Sequence, residues 1–201
     1  VKGGVGWIVL NRPKALNALS LQMVRNLADL LKTWKWDPSI KAIVIKSAGE
    51  KAFCAGGDVR AVYEAEKRGD FTLCDAFFRE EYALNAQIYS YPKPYISLID
   101  GLAMGGGLGL SINGSHRIVT EQALLAMPET SIGFFPDVGA TTFLTQKYPI
   151  VGLYLGLTGI PLKATDALWF GLATHYISST DLSSLKADLE TEKEIDNILS
   201  H

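Results

Sequence analysis

The chain has 201 residues, 48% apolar and 20% charged, enough length for one sizeable core. A net charge of −2, with Lys and Arg scattered among Asp and Glu, excludes the basic footprint of a nucleic-acid-binding protein. No apolar run nears the roughly 20 residues that span a bilayer, and two cysteines with three histidines offer neither a disulfide scaffold nor a metal-ligand set.

Residues 5–11 are a short apolar run and predict the first strand. Ser20 is placed to cap a helix through Trp34 with the stripe Met23, Leu27, Leu30, Leu31 and Trp34, and Asp37-Pro38 closes it. Residues 40–46 predict a second strand. The Gly-rich junction Phe53-Cys54-Ala55-Gly56-Gly57-Asp58 follows, and Asp58 caps a helix through about residue 67. Arg68-Gly69-Asp70 reads as that helix's end with a Gly stop. A third helix over residues 74–89 has the inward stripe Phe77, Glu81, Leu84 and Ile88, so a carboxylate sits in an apolar line. Residues 95–100 predict a strand leading into the glycines of 100–109. Strands at 117–121, 124–127 and 174–177 follow, and an amphipathic, more polar tail occupies 182–200. Strands alternating with Gly-rich turns and helices predict a layered α/β fold.

Chemistry concentrates at the junctions. Glycine permits close backbone approach to a ligand, and two exposed N–H groups aimed at one point form an oxyanion hole. Gly106 lies where a helix would begin. For any one of these loops, simple chain turning explains the glycines equally well. The phosphate-loop patterns ending in Gly-Lys-Ser/Thr and the spaced Gly-x-Gly-x-x-Gly are absent. Glu129 leaves an apolar strand through Pro128, as a base or nucleophile or as a cap or surface-turn residue. Asp137, between Pro136 and Val138, either returns to a protected site or caps a helix beginning near Val138. Glu81 is either a satisfied buried acid or a ligand contact. No Gly-x-Ser-x-Gly elbow is present, and His116 and His175, in strand-like or turn contexts, have no obvious nucleophile nearby, so a Ser-His-Asp hydrolase is not expected.

These segments together resemble the crotonase superfamily. Asn11-Arg12-Pro13, Leu16-Asn17-Ala18-Leu19, Phe53–Asp58 as quoted, the loop 104–107 and Met127-Pro128-Glu129 carry the resemblance in order, over residues 5–180. More narrowly, residues 54–60, 104–109, 126–130, 133–139 and 155–159 are similar to the 3-hydroxyisobutyryl-CoA hydrolase branch. Phe134-Phe135-Pro136-Asp137-Val138-Gly139 is the most discriminating piece. The resemblance implies an α/β spiral of repeated β-β-α units binding an acyl-CoA thioester. Residues 1–180 would form the core, and 181–201 would start a C-terminal helical region that is truncated or incomplete.

It also implies the site. The amides of Gly57 and Gly106 would hold the thioester oxygen. Glu129 would be the catalytic acid group and Asp137 the second carboxylate. Glu81, Gly106, Glu129 and Asp137, with Ala55 and Gly56, would contact substrate. The expected reaction is hydrolysis of a short 3-hydroxyacyl-CoA in valine catabolism. No metal or cofactor is expected beyond the CoA of the substrate. The alternatives are an enoyl-CoA hydratase or isomerase, and a non-catalytic binding or assembly protein of the same fold. Hydratases carry a further glutamate where this chain has Gly109. The resemblance further implies no nucleic-acid or membrane partner, and allows a homo-oligomer. It points to the mitochondrial matrix, with the peroxisome as the other compartment.

Overall fold

The computed structural model describes residues 1–191. In chain order it contains β1 (Val5–Leu10) and α1 (Leu21–Trp34), then β2 (Ala42–Ser47), β3 (Ala52–Cys54), α2 (Val59–Lys67) and α3 (Phe71–Tyr89). Next come β4 (Tyr95–Ile99), β5 (Leu102–Met104) and α4 (Gly106–Ser111), followed by β6 (His116–Val119), β7 (Leu124–Ala126), α5 (Ala140–Phe143) and α6 (Pro149–Thr158). The last elements are β8 (Leu162–Lys163), α7 (Ala164–Phe170), β9 (His175–Tyr176) and α8 (Leu182–Leu189).

The larger sheet runs β1-β2-β4-β6-β9 and is parallel throughout. The smaller runs β3-β5-β7-β8, parallel except for its last pair. Each pair β2/β3, β4/β5 and β6/β7 sends its first strand to the larger sheet and its second to the smaller. A helix then returns the chain, so every β-β-α turn advances both sheets by one strand. This is the expected spiral.

The central strands β2 and β4 are apolar on both faces because both faces are covered. On one side Leu27, Leu31, Leu84 and Ile88 from α1 and α3 pack with Ile43, Ile45, Tyr95 and Ile99. On the other, Leu185 and Leu189 of α8 pack with Val5, Val44, Ile96, Leu98 and Ile118. Helix α8, the start of the tail, is therefore seated on this chain's own sheet. The remainder of the predicted 182–200 tail lies outside the described residues beyond 191.

Local expectations hold where a local signal exists. Ser20 accepts from Met23 N, Asp58 from Ala61 N, and α3 shows the Phe77, Glu81, Leu84, Ile88 stripe with Asn85 beside it. Three details differ. The buried line of α1 is Val24, Leu27 and Leu31, rotated from the predicted stripe, and Leu30 is exposed. The third helix starts three residues early, at Phe71, because Asp70 accepts from Leu73 N and caps it. Strands β3 and β5 lie inside what the sequence presents as Gly-rich junctions.

The segment before α1 ties the spiral's first turn together. Leu16 and Asn17 both have left-handed backbone angles. Asn17 is fully buried, and its Nδ2 donates to Ala48 O (3.0 Å) and Ala52 O (2.8 Å), while its Oδ1 accepts from Arg12 N (2.8 Å). Arg12 in turn donates to Ala18 O (2.7 Å) and pairs with Asp58 (2.9 Å). Asn tolerates the left-handed conformation better than most residues and satisfies three main-chain groups at once. Asn17→Ala leaves those groups unpaired and should lower unfolding stability by roughly 2–4 kcal/mol. A shift in urea midpoint at unchanged slope checks this, and a variant as stable as the parent would contradict it.

Candidate active site

Beyond β3 the chain turns through Ala55, Gly56 and Gly57. Leu19 N donates to Gly56 O (2.8 Å) and Asp58 N donates to Leu19 O (2.8 Å), forming a parallel bridge centred on Gly57. In such a bridge the flanking residues make the bonds. The amide of Gly57 therefore points away from the ladder and donates to no acceptor among the described residues. Phe77 packs beneath it, so that a Cβ at Gly57 would stand 3.0 Å from the ring.

The second loop follows β5. Gly105 has φ +50° and ψ −117°, angles that only glycine adopts readily, and its N–H is tied to Ala126 O of β7 (3.0 Å). Gly106 then opens α4, where its N–H has no intrahelical acceptor. The two free amides are neighbours: a Cβ built on Gly106 would lie 3.2 Å from Gly57 N. Two unpaired N–H groups on adjoining loops are the kind of donors an oxyanion hole is built from.

Two carboxylic acids flank the second loop. A methyl group at Gly105 would overlap Glu129 Oε1, and one at Gly106 would overlap Glu81 Oε1. Glu81 is 2% exposed and Glu129 8% exposed; Glu81 Oε1 and Glu129 Oε2 have no hydrogen-bond partner. Glu129 opens a short 3₁₀ turn, Glu129–Ile132, but its side chain faces inward, so the surface-turn alternative does not hold. Asp137 is not a helix cap either: Gly139 precedes α5, and Asp137 contributes only its main-chain O to Ala140 N (2.7 Å). Its carboxylate instead accepts from Tyr82 OH (2.7 Å).

Burial sets the electrostatics. It pushes Glu129 up to about 7, with the charge of Asp137 adding to the effect against an opposing bond to its own backbone. Glu81 is pushed up to about 8 by burial first and then by the charges of Asp137 and Glu129. Asp137 is also raised by burial, and the Tyr82 hydrogen bond pulls the other way. Cys54, buried close by, is pushed up to about 12 by desolvation and stays a neutral thiol at physiological pH.

Ala55, Gly56, Gly57, Glu81, Gly106, Glu129 and Asp137 all line one cavity of about 400 Å³. Every residue singled out from sequence is therefore in one place. Reading by sequence missed Tyr82 and the aromatic wall. Phe78 lies 5.7 Å from Phe134 and 6.1 Å from Tyr82, ring centre to ring centre. The i, i+4 spacing of Phe78 and Tyr82 on α3 was the available signal. The same cavity is also lined by Val62, Tyr63 and Ile132, apolar or aromatic surface suited to an acyl group or a pantetheine arm. Among the described residues, no group of three or more His, Cys, Asp or Glu side chains could hold a metal ion.

Comparison with known proteins agrees with this geometry. A family model described as enoyl-CoA hydratase/isomerase matches residues 5–201. A Danio rerio protein named 3-hydroxyisobutyryl-CoA hydrolase, mitochondrial, is 54% identical over 187 residues, covering 93% of this chain and 49% of the relative. The Homo sapiens protein of the same name is 52% identical over 188 residues, 94% of this chain and 48% of the relative. The chain thus spans about half the length of the curated relatives it matches. A crystal structure of a carnitinyl-CoA dehydratase from Mycobacterium thermoresistibile superposes with TM-score 0.95 at 42% identity, covering 100% of this chain and 58% of that one. By fold and by family match, the chain belongs to the enoyl-CoA hydratase/isomerase family, with its crotonase-like spiral.

Proposed function

We propose that this chain carries the catalytic site of a 3-hydroxyisobutyryl-CoA hydrolase, cleaving a short 3-hydroxyacyl-CoA to the free acid and CoA, a step of valine breakdown. The observation that carries the reading is the juxtaposition of two unpaired amides, Gly57 and Gly106, with the buried Glu129 carboxyl in one cavity. The names of the curated relatives support the same substrate class. They also support a mitochondrial location, and nothing in them favours the peroxisome.

Gly109 argues against the hydratase alternative. A Cβ there would stand 2.8 Å from Val138 Cβ and 3.0 Å from Asn85 Nδ2, so a glutamate side chain has no room at that point of α4. Glu129 is then without the second acid that water addition across a double bond would use. The site keeps two unpaired amides and the Glu129 carboxylate, the parts that acyl transfer needs, with Glu81 and Asp137 beside them.

In the proposed reaction the Gly57 and Gly106 amides take the negative charge that develops on the thioester oxygen. Glu129 removes a proton from water as the water oxygen attacks the carbonyl carbon, or attacks that carbon itself to form a mixed anhydride that water then opens. In either route the C–S bond breaks, the electron pair leaves with the CoA sulfur, and a proton returns to it. Asp137, oriented by Tyr82, and Glu81 position the substrate hydroxyl or the water. CoA enters as part of the substrate, and the chemistry calls for no further cofactor.

Glu129→Gln should lower kcat for thiol release from 3-hydroxyisobutyryl-CoA by at least about 10²-fold. The folded pKa of Glu129 is raised above its usual 4.5 to about 7, so the protein loses stability as pH climbs through that window. The glutamine variant should therefore unfold at no lower temperature than the parent at pH 8. Near-normal turnover would remove Glu129 from the mechanism. Hydration of crotonyl-CoA without thiol release would overturn the hydrolase reading, and ester binding without either reaction would favour a non-catalytic protein.

The pH profile gives a second test. Glu129 acts as carboxylate, so kcat/KM should rise with pH along an acid limb near 7 that reports the coupled acids together. Asp137→Asn removes a like charge from beside Glu129 and should move that limb to lower pH while reducing kcat. A limb that stays in place or moves upward would contradict the assignment.

A further inference from the structure

Two more cavities lie in series behind the catalytic one. The first, of about 570 Å³, shares Asp137 with it and is lined by Tyr82, Asn85 and Val138. Asn85 is 5% exposed, yet neither its Nδ2 nor its Oδ1 has a partner. The second, of about 310 Å³, shares Tyr89, Asn113, Gly139, Thr142 and Gln146 with the first. Its lining adds Arg117 and Lys147 and contains no acidic residue.

Neither cation forms a salt bridge among the described residues. Arg117 uses three of its five N–H groups on main-chain oxygens: Nε on Leu172 O (3.1 Å), Nη1 on Gly114 O (2.8 Å) and Nη2 on Gly171 O at the outer limit of 3.5 Å. Lys147 uses one of its three on Trp169 O (2.6 Å). Free donors therefore remain on both, and the side-chain amides of Asn113 and Gln146 add more. A half-buried guanidinium beside an ammonium, with no anion to balance them, is a site that an anion completes.

We propose that the Arg117–Lys147 cavity binds a small carboxylate anion, and that its occupant is the acid released by thioester hydrolysis. The second half of this statement rests on the proposed hydrolase function. Hydrolysis turns a neutral acyl group into an anion in the cavity where Glu129 acts as carboxylate beside Asp137, and like charges repel. The adjoining cavities, the first sharing Asp137 with the catalytic one and holding the buried amide of Asn85, lead to two cations. The acid product thus has an exit toward positive charge.

The test is titration of the protein with sodium 3-hydroxyisobutyrate, followed by amide NMR, beside the variant Lys147→Gln. Lys147 is exposed and outside the catalytic cavity, so the variant should fold and keep its thiol-release rate at low product. Saturable binding with shifts at Arg117, Asn113 and Gln146 is expected, weakened about tenfold in the variant by loss of a charge-assisted bond. The neutral 2-methyl-1,3-propanediol should not displace the acid. In steady-state assays the acid should inhibit noncompetitively against the CoA ester. No binding, binding equal in Lys147→Gln, or purely competitive inhibition would overturn the site. Acetate binding as tightly as 3-hydroxyisobutyrate would overturn the product assignment. Lys147-dependent binding without any thiol release would overturn the hydrolase reading and the product assignment with it while upholding the carboxylate site, and thiol release without such binding would overturn this proposal alone.

Discussion

The parallel bridge between Leu19 and Gly57 engages the residues on either side of Gly57 and turns Gly57's own amide out of the ladder. Gly106 reaches the same condition by another route, as the first residue of α4. Buried main-chain N–H groups are nearly always paired, and leaving one unpaired typically costs about 1–3 kcal/mol. Two such groups side by side are sustained by what surrounds them. Asn17 satisfies three main-chain groups, Arg12 ties Ala18 to Asp58, and Phe77 packs under the loop. The first turn of the spiral thus works as a frame that holds two unpaired donors side by side.

A second tension lies in the acids. Glu81, Glu129 and Asp137 share a partly apolar cavity, and two of their oxygens have no partner. Desolvation raises all three, and neighbouring charge adds to the rise of Glu81 and Glu129, so the cavity holds protons at pH values where free carboxylates have lost them. A carboxylate that titrates near neutrality is poised to take a proton from water or to attack an acyl carbon. Polar groups left unsatisfied in this way weaken the fold and are commonly found where a protein acts.

Gly109 is a place where packing limits the chemistry the site can hold. The spiral is a feature of the fold, and solved structures sharing it include proteins named as a hydratase and a dehydratase. At the next turn of α4 the packing of Val138 and Asn85 against Gly109 removes the space for another acid. The segment that supplies Val138 also supplies Asp137, so the same loop fills the space at Gly109 and brings a carboxylate to the cavity.

Sequence by itself was sufficient for the features whose causes are local. The caps at Ser20 and Asp58, the Gly stop after α2 and the Phe77–Glu81–Leu84–Ile88 stripe follow from spacing and side-chain type within a few residues. The ordered motifs also carried the site residues, because Ala55, Gly56, Gly57, Glu81, Gly106, Glu129 and Asp137 lie in recognisable segments. Only the tertiary structure decided the rest. Strands β3 and β5 have three residues each and are strands only because β7 and one another are beside them. Val24 rather than Leu30 faces inward because α3 and the sheet fix the rotation of α1. The Tyr82–Asp137 bond joins residues 55 apart, and the direction of two amides depends on pairings made elsewhere in the chain. A residue type and its near neighbours set what a segment can become, whereas hydrogen bonds and contacts between distant segments set which way its groups point, and in this site direction is what makes the chemistry.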